Sequence, residues 1–287
     1  TTEVISLVGA HPIFVDIEED SFNLDPTNLE KEIVKILNEG NLLPKAIIAV
    51  DLFGQLANYQ KIQKIAKKYN LILIEDAAQS FGASHNNQKS CSFGDISATS
   101  FYPSKPLGCY GDGGAIFTND KKIAELCKSI RVHGQGADKY DNIRIGLNSR
   151  LDTIQAAILL NKLKIFDKEI KIRNKIANYY SEHLKKYLIV PKISNGNISS
   201  WAQYSLLTES NKEREDLVKY LKEKDIPIAI FYKKIFSEIS VYKEDNAFNN
   251  YDKSKNISNL IFSLPMNAYL EQNEQDYIIE SIEKFYK

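Results

Sequence analysis

The feature that most narrows how this chain can fold is the alternation, as far as Thr118, of short apolar runs with stretches of helical periodicity. Residues 12–17, 46–53, 71–74, 96–102 and 115–118 read as buried strands, because continuous apolar runs this short suit strands covered on both faces. Between them, Asp25 and Pro26 supply an N-cap and a first-turn proline ahead of Leu29, Ile33 and Ile36, and Ile62, Ile65 and Ala66 space a second helix. Elements in that order predict an α/β architecture, a mainly parallel sheet with helices on both faces.

Beyond Arg131 the pattern changes. A loop-like stretch up to Arg150 carries Gly134, Gly136 and Gly146, and residues 151–186 are helical in pattern with little interruption, long enough to bridge two domains. After it come an expected strand at 201–207, a helix at 214–224, strands at 228–232 and 261–264, and a terminal helix. That order suits a small C-terminal α+β domain, so the expected division is a large domain over 1–165 and a small one over 166–287.

Composition removes several classes of function. Lys+Arg and Asp+Glu both number 37, which leaves no cationic surplus to neutralise a phosphate backbone, so nucleic acid is not an expected partner. No apolar run approaches the roughly 18 residues needed to span a bilayer, and no signal peptide opens the chain; no membrane partner and a cytoplasmic location are expected. Cys91, Cys109 and Cys127 form no C-x-x-C pair and read as reduced thiols. Four histidines, His85 and His133 among them, do not cluster, so no metal is expected. The chain opens on Thr1 and its only methionine is Met266, so translation is expected to begin upstream.

Chemistry concentrates in two places. The run 71–74 delivers Glu75 and Asp76 to the carboxyl end of a strand, where open α/β sheets place their ligands. Taken alone, Asp76 could equally cap the next helix or hold magnesium. Further along, Lys105 sits between Pro103 and Pro106 in a turn that continues through Gly108, Gly111, Gly113 and Gly114. A solvated surface lysine needs no such rigid setting, whereas a Schiff-base lysine must be fixed and partly desolvated so that its amine can be neutral.

Glu75-Asp76-Ala77-Ala78-Gln79-Ser80-Phe81-Gly82, the stretch from Ser100 through Lys105 to Gly114, Arg131-Val132-His133-Gly134 and the run from Gly146 through Asn148 and Arg150 to Ala157 follow one another in this order. Together, and with Ser263-Leu264-Pro265, they resemble the DegT/DnrJ/EryC1/StrS sugar aminotransferases over nearly the whole chain. The wording around Lys105 is most similar to enzymes that aminate C3 of UDP-3-keto-N-acetylhexosamines or their uronates for surface-polysaccharide synthesis, such as O-antigen of lipopolysaccharide.

The resemblance implies a fold type I pyridoxal 5′-phosphate enzyme, a homodimer with shared active sites, with glutamate as amino donor and a nucleotide-sugar as acceptor. It implies that Lys105 carries the cofactor, Asp76 pairs with the pyridine nitrogen, Gln79 holds the phenolic oxygen, Ser100 holds the phosphate, and Asn148 reaches that phosphate from the neighbouring subunit. Read from the residues alone, Asn148 could instead cap the long helix, and Arg150, an expected contact for an anionic part of the substrate, could pair with Asp152. Tyr232 matches a sugar-contacting tyrosine, but Phe231 stands where relatives carry histidine and the following Lys233-Lys234 run also departs from the family. The family's opening segment, with a phosphate-gripping Gly-Thr loop, has no counterpart before Thr1. Two rivals remain: a truncated, non-catalytic homologue acting as a binding or dimerisation partner, and another pyridoxal-phosphate sugar-modifying activity. Against the second, dehydrating relatives replace the lysine with histidine, and Lys105 is present.

Overall fold

The computed structural model describes residues 1–242 and 251–287. Four of the five early apolar runs pair into one sheet, whose strands β1 (Ala46–Val50), β2 (Ile72–Asp76), β3 (Ile96–Ser100) and β4 (Gly114–Phe117) lie side by side in that order. The first three are parallel, with Val50 opposite Asp76 and Asp76 opposite Ala98. The edge strand β4 runs antiparallel to β3, with Ser100 facing Gly114.

Helix α1 (Pro26–Glu39) starts where the sequence signals it should: the Asp25 carboxylate accepts the N–H groups of Thr27 and Asn28, and Gly40 closes the helix at φ 69°. Helix α2 (Tyr59–Lys68) connects β1 to β2 and is capped by Asn58. The apolar stripes of both, Leu29 and Ile33 from α1 and Ile62, Ile65 and Ala66 from α2, bury against Ile47, Ala49 and Leu73 of the sheet. Helix α3 (Lys121–Ile130) follows β4.

The long helix α4 (Thr153–Leu184) belongs to two cores. Its first half places Leu159, Phe166 and Ile170 against Phe101, Leu107 and Cys109. There Gly82, at φ 95°, lies so close that a Cβ would sit 2.8 Å from the Phe166 ring. Its second half places Ile176, Tyr180 and Leu184 in another core. That core is completed by the antiparallel pair β5 (Tyr204–Leu207) and β6 (Ile261–Leu264), and by helices α5 (Asn211–Glu223) and α7 (Gln272–Tyr286), with α6 (Asp252–Leu260) preceding β6. Leu217 is fully buried in it, and Leu217→Ala is expected to cost about 2–5 kcal/mol.

Two expected strands do not form. Residues 12–17 make a single bridge, Ile17 with Leu24, because their polar groups serve other elements: the Asp16 carboxylate accepts the N–H groups of Lys253 and Ser254 at the start of α6. Residues 228–232 likewise make one bridge, Ala229 with Ser263, rather than a ladder. Among the described residues no helix is long and apolar enough to cross a membrane.

Candidate active site

Because β1, β2 and β3 are parallel, their carboxyl ends share one edge, and three polar residues arrive there together: Asp51 just after β1, Asp76 at the end of β2 and Ser100 at the end of β3. The adjacent acids Glu75 and Asp76 point to opposite faces of the strand. Glu75 is fully buried and accepts from the N–H groups of Cys91 (2.6 Å) and Phe93 (2.8 Å) and from Ser97 Oγ (2.7 Å), which makes it structural. Asp76 is half-buried; its Oδ1 accepts the Ala78 N–H at 3.1 Å and its Oδ2 accepts the Thr1 hydroxyl.

Lys105 lies in a turn that is tied at both ends. Its N–H bonds the Tyr102 carbonyl at 2.9 Å, and the Cys109 N–H bonds that of Phe101 at 2.7 Å. A Cβ at Gly108 would stand 2.6 Å from the Pro103 oxygen, so the close approach requires glycine. From α4, Gln155 Oε1 accepts the Tyr110 N–H (2.8 Å) and Lys162 Nζ donates to the Gly108 carbonyl (2.6 Å), holding the turn against the helix. Burial lowers the Lys105 amine below the ordinary lysine range, while the nearby Asp76 carboxylate opposes the shift. The three cysteines are free, and burial, reinforced by Glu75, pushes the Cys91 thiol up to about 12, so it is an unreactive core residue.

Gln79 is buried, and its Oε1 accepts the Phe53 N–H at 2.6 Å. That bond settles which way the amide faces: the oxygen is engaged, and the Nε2 donors are left for a partner. Ser100 Oγ accepts the Tyr102 N–H at 3.2 Å and keeps its own hydrogen to donate.

The remaining candidates lie apart from this group. Asn148 and Arg150 are exposed and bond each other, with no hydrogen bond to Lys105, Asp76, Gln79 or Ser100. Neither alternative reading of them holds: the N-cap of α4 is Asp152, and Arg150 makes no ion pair with it. Tyr232 is 53 % exposed, and its ring meets that of Phe231 at 5.6 Å between centroids. Two surface clefts, about 610 Å³ beside Arg214 and Lys222 and about 770 Å³ beside Glu30 and Lys68, contain none of these residues. Sequence reasoning missed Asp51, Phe53 and Thr1, whose links to Gln79 and Asp76 depend on chain positions 25 to 75 residues apart.

The model of the DegT/DnrJ/EryC1/StrS aminotransferase family matches residues 1–283. The chain belongs to that family. It is 45% identical over 273 residues to the UDP-2-acetamido-2-deoxy-3-oxo-D-glucuronate aminotransferase of Pseudomonas aeruginosa, covering 94% of this chain and 72% of that protein. The crystal structure of a DegT DnrJ EryC1 StrS aminotransferase from Brucella abortus superposes with a TM-score of 0.96 at 48% identity, covering 99% of this chain and 75% of that one. NtdA of Bacillus subtilis, solved with bound cofactor PMP, superposes with a TM-score of 0.86 at 26% identity over 99% of this chain and 64% of its own. This family member is a pyridoxal-phosphate-dependent sugar aminotransferase.

The residues present fit that cofactor. A partly desolvated amine (Lys105), a carboxylate (Asp76), a buried amide with free donors (Gln79) and a hydroxyl with a free hydrogen (Ser100) answer in kind to an aldehyde, a basic ring nitrogen, a phenolic oxygen and a phosphate.

Proposed function

We propose that this enzyme transfers an amino group from an amino-acid donor, glutamate, to a UDP-linked 3-keto-N-acetylhexosamine or its uronate, serving surface-polysaccharide synthesis. The observation that carries the reading is the partly desolvated Lys105 amine in the field of Asp76 at the carboxyl edge of the sheet. The substrate class is supported by the 45% identity to the Pseudomonas aeruginosa enzyme.

When bound, pyridoxal phosphate supplies the carbonyl that takes the amino group and a ring that delocalises electrons from the substrate carbon. In this reading Lys105 Nζ holds the cofactor. Once released, it takes the proton lost from the donor's α-carbon and later delivers one to the sugar carbon that receives nitrogen. Asp76 holds the proton on the ring nitrogen. Gln79 Nε2 donates to the phenolic oxygen and Ser100 Oγ to the phosphate, fixing the ring's orientation. Asn148 adds a second phosphate contact from the neighbouring subunit of a homodimer, Arg150 recognises an anionic group of the nucleotide-sugar, and Tyr232 contacts the sugar. The large unit over 1–165 carries the cofactor contacts, the small unit over 166–287 forms the C-terminal domain, and the enzyme works in the cytoplasm.

The test is an assay of the purified protein with glutamate and a panel of nucleotide-linked 3-keto and 4-keto sugars. Amination of a UDP-linked 3-keto sugar in preference to the 4-keto sugars supports the reading; exclusive turnover of a 4-keto sugar contradicts it.

A further inference from the structure

One buried and heavily bonded polar group near the site is given none of the roles above. Asp51 follows β1 directly and is fully buried. Its N–H bonds the Asp76 carbonyl at 3.1 Å, carrying the β1–β2 ladder one step past the last strand pair. One carboxyl oxygen, Oδ1, accepts from the Ala57 N–H (2.9 Å) and the Tyr59 hydroxyl (2.8 Å). The other, Oδ2, meets Ser80 Oγ at 2.7 Å. A single side chain thus ties the turn at 52–57 to the turn at 77–83, and those two turns hold opposite ends of the Phe53–Gln79 bond.

The conformation of Phe53 indicates what this brace maintains. Phe53 sits at φ 60°, a left-handed geometry that is strained for a bulky residue, so it persists only where its surroundings impose it. The surroundings do so. The Leu52 N–H is taken by Asn23 Oδ1 at 2.8 Å, Asn23 Nδ2 donates to the Gln55 carbonyl at 2.8 Å, and Asp51 clamps the far end of the turn at Ala57. The result of the strained geometry is that the Phe53 N–H points at Gln79 Oε1.

We propose that Asp51 is a positioning residue for the cofactor: by bracing the 52–57 turn against Ser80 it holds the Phe53 N–H that orients Gln79. The inference rests on the reading of Gln79 as a cofactor ligand. Burial, with the negative charge of Glu75 on β2, pushes the Asp51 carboxyl up to about 8, and its Oδ2 accepts the hydrogen of the Ser80 hydroxyl. Tyr59 on α2 also faces it and supplies a donor. Asparagine, of the same shape, keeps both bonds at its oxygen and offers its amide to the Ser80 hydroxyl, which accepts as well as donates; alanine keeps none of the three.

The test measures pyridoxal-phosphate affinity by fluorescence quenching, and the absorption maximum of the bound form, for Asp51→Ala, Asp51→Asn, Gln79→Ala and the Asp51→Ala/Gln79→Ala double variant. Thermal unfolding is followed alongside. The expected result is a Kd raised about tenfold in Asp51→Ala, a Kd within about threefold of the parent in Asp51→Asn, and no further weakening when Asp51→Ala is added to Gln79→Ala. A merely structural role would weaken binding equally in both backgrounds, and that additivity overturns the proposal. So does an unchanged Kd and spectrum in Asp51→Ala when Gln79→Ala is impaired. If Gln79→Ala itself binds normally, the reading of Gln79 fails, and the inference with it. Should Asp51→Ala not fold, Ser80→Ala removes one arm of the brace, and the same comparison with Gln79→Ala decides the matter.

Discussion

Arg150 turns its guanidinium onto the side-chain oxygen of Asn148, with Nε at 3.1 Å and Nη2 at 2.9 Å from Oδ1. A guanidinium can only donate, so Asn148 must face it with oxygen and present both Nδ2 hydrogens outward. The two residues therefore act as a unit: an amide donor aimed by a cation. Arg150→Ala is expected to raise the Kd for pyridoxal phosphate several-fold, as is Asn148→Ala, besides raising KM for the nucleotide-sugar. Arg150→Lys loses the fork and should weaken a uronate substrate more than its neutral hexose counterpart if the target is the carboxylate. Equal weakening of both substrates would point to the diphosphate instead, and unchanged kinetics and cofactor affinity would remove Arg150 from the site.

The proposed sharing of sites across a two-fold axis gives a second expectation. Lys105→Ala and Asn148→Ala proteins, each impaired alone, should recover activity when unfolded together and refolded as mixed dimers, because each mixed dimer contains one site with both residues intact. Sites confined to one subunit would show no recovery.

Asp76→Asn should keep much of its cofactor and lose turnover by on the order of 100-fold, since an amide cannot hold the charge on the ring nitrogen. Single-turnover kinetics at saturating cofactor separate this from weakened binding. Near-normal turnover would take Asp76 out of the mechanism.

Asp51 predicts a pH dependence of stability. Its folded pKa, pushed up to about 8 by burial and by Glu75, lies above the roughly 4 of an unfolded aspartate, so between those values the folded state binds the extra proton. Its contribution is complete below about pH 4 and declines as pH rises to about 8. Denaturant unfolding of the parent protein and Asp51→Asn across that range should show the parent losing stability relative to the variant, with the difference levelling off above pH 8. A constant difference would mean that Asp51 is ionised throughout.

Much of this could be read from the sequence, and the reasons for the exceptions are physical. Asp76 at a strand's end and Lys105 in a fixed turn are legible as candidates because apolar strands announce their own ends and because prolines and glycines around a lysine signal a fixed turn, whereas Ser100 is read only through the family resemblance. The helix at Pro26 was legible in its cap. Direction was not: a period of apolar residues is the same for parallel and antiparallel strands, so nothing marked Gly114–Phe117 as the antiparallel edge. Residues 12–17 carry a strand's apolar pattern but place Asp16 at the start of α6, a contact 237 positions away that no local pattern encodes. Asp51 and Phe53 escaped for the same reason. Their importance lies in partners such as Ser80 and Gln79, and in a left-handed φ that phenylalanine does not advertise.

Whether Lys105 carries the cofactor is decided by peptide mapping of the borohydride-reduced holoenzyme. Reduction fixes the bond between cofactor and amine, and mass spectrometry then locates the modified residue. The predicted result is a phosphopyridoxyl group on the peptide containing Lys105 alone, with the yellow absorption and the adduct both absent in Lys105→Ala. An adduct on another lysine, or one that persists in Lys105→Ala, would contradict it.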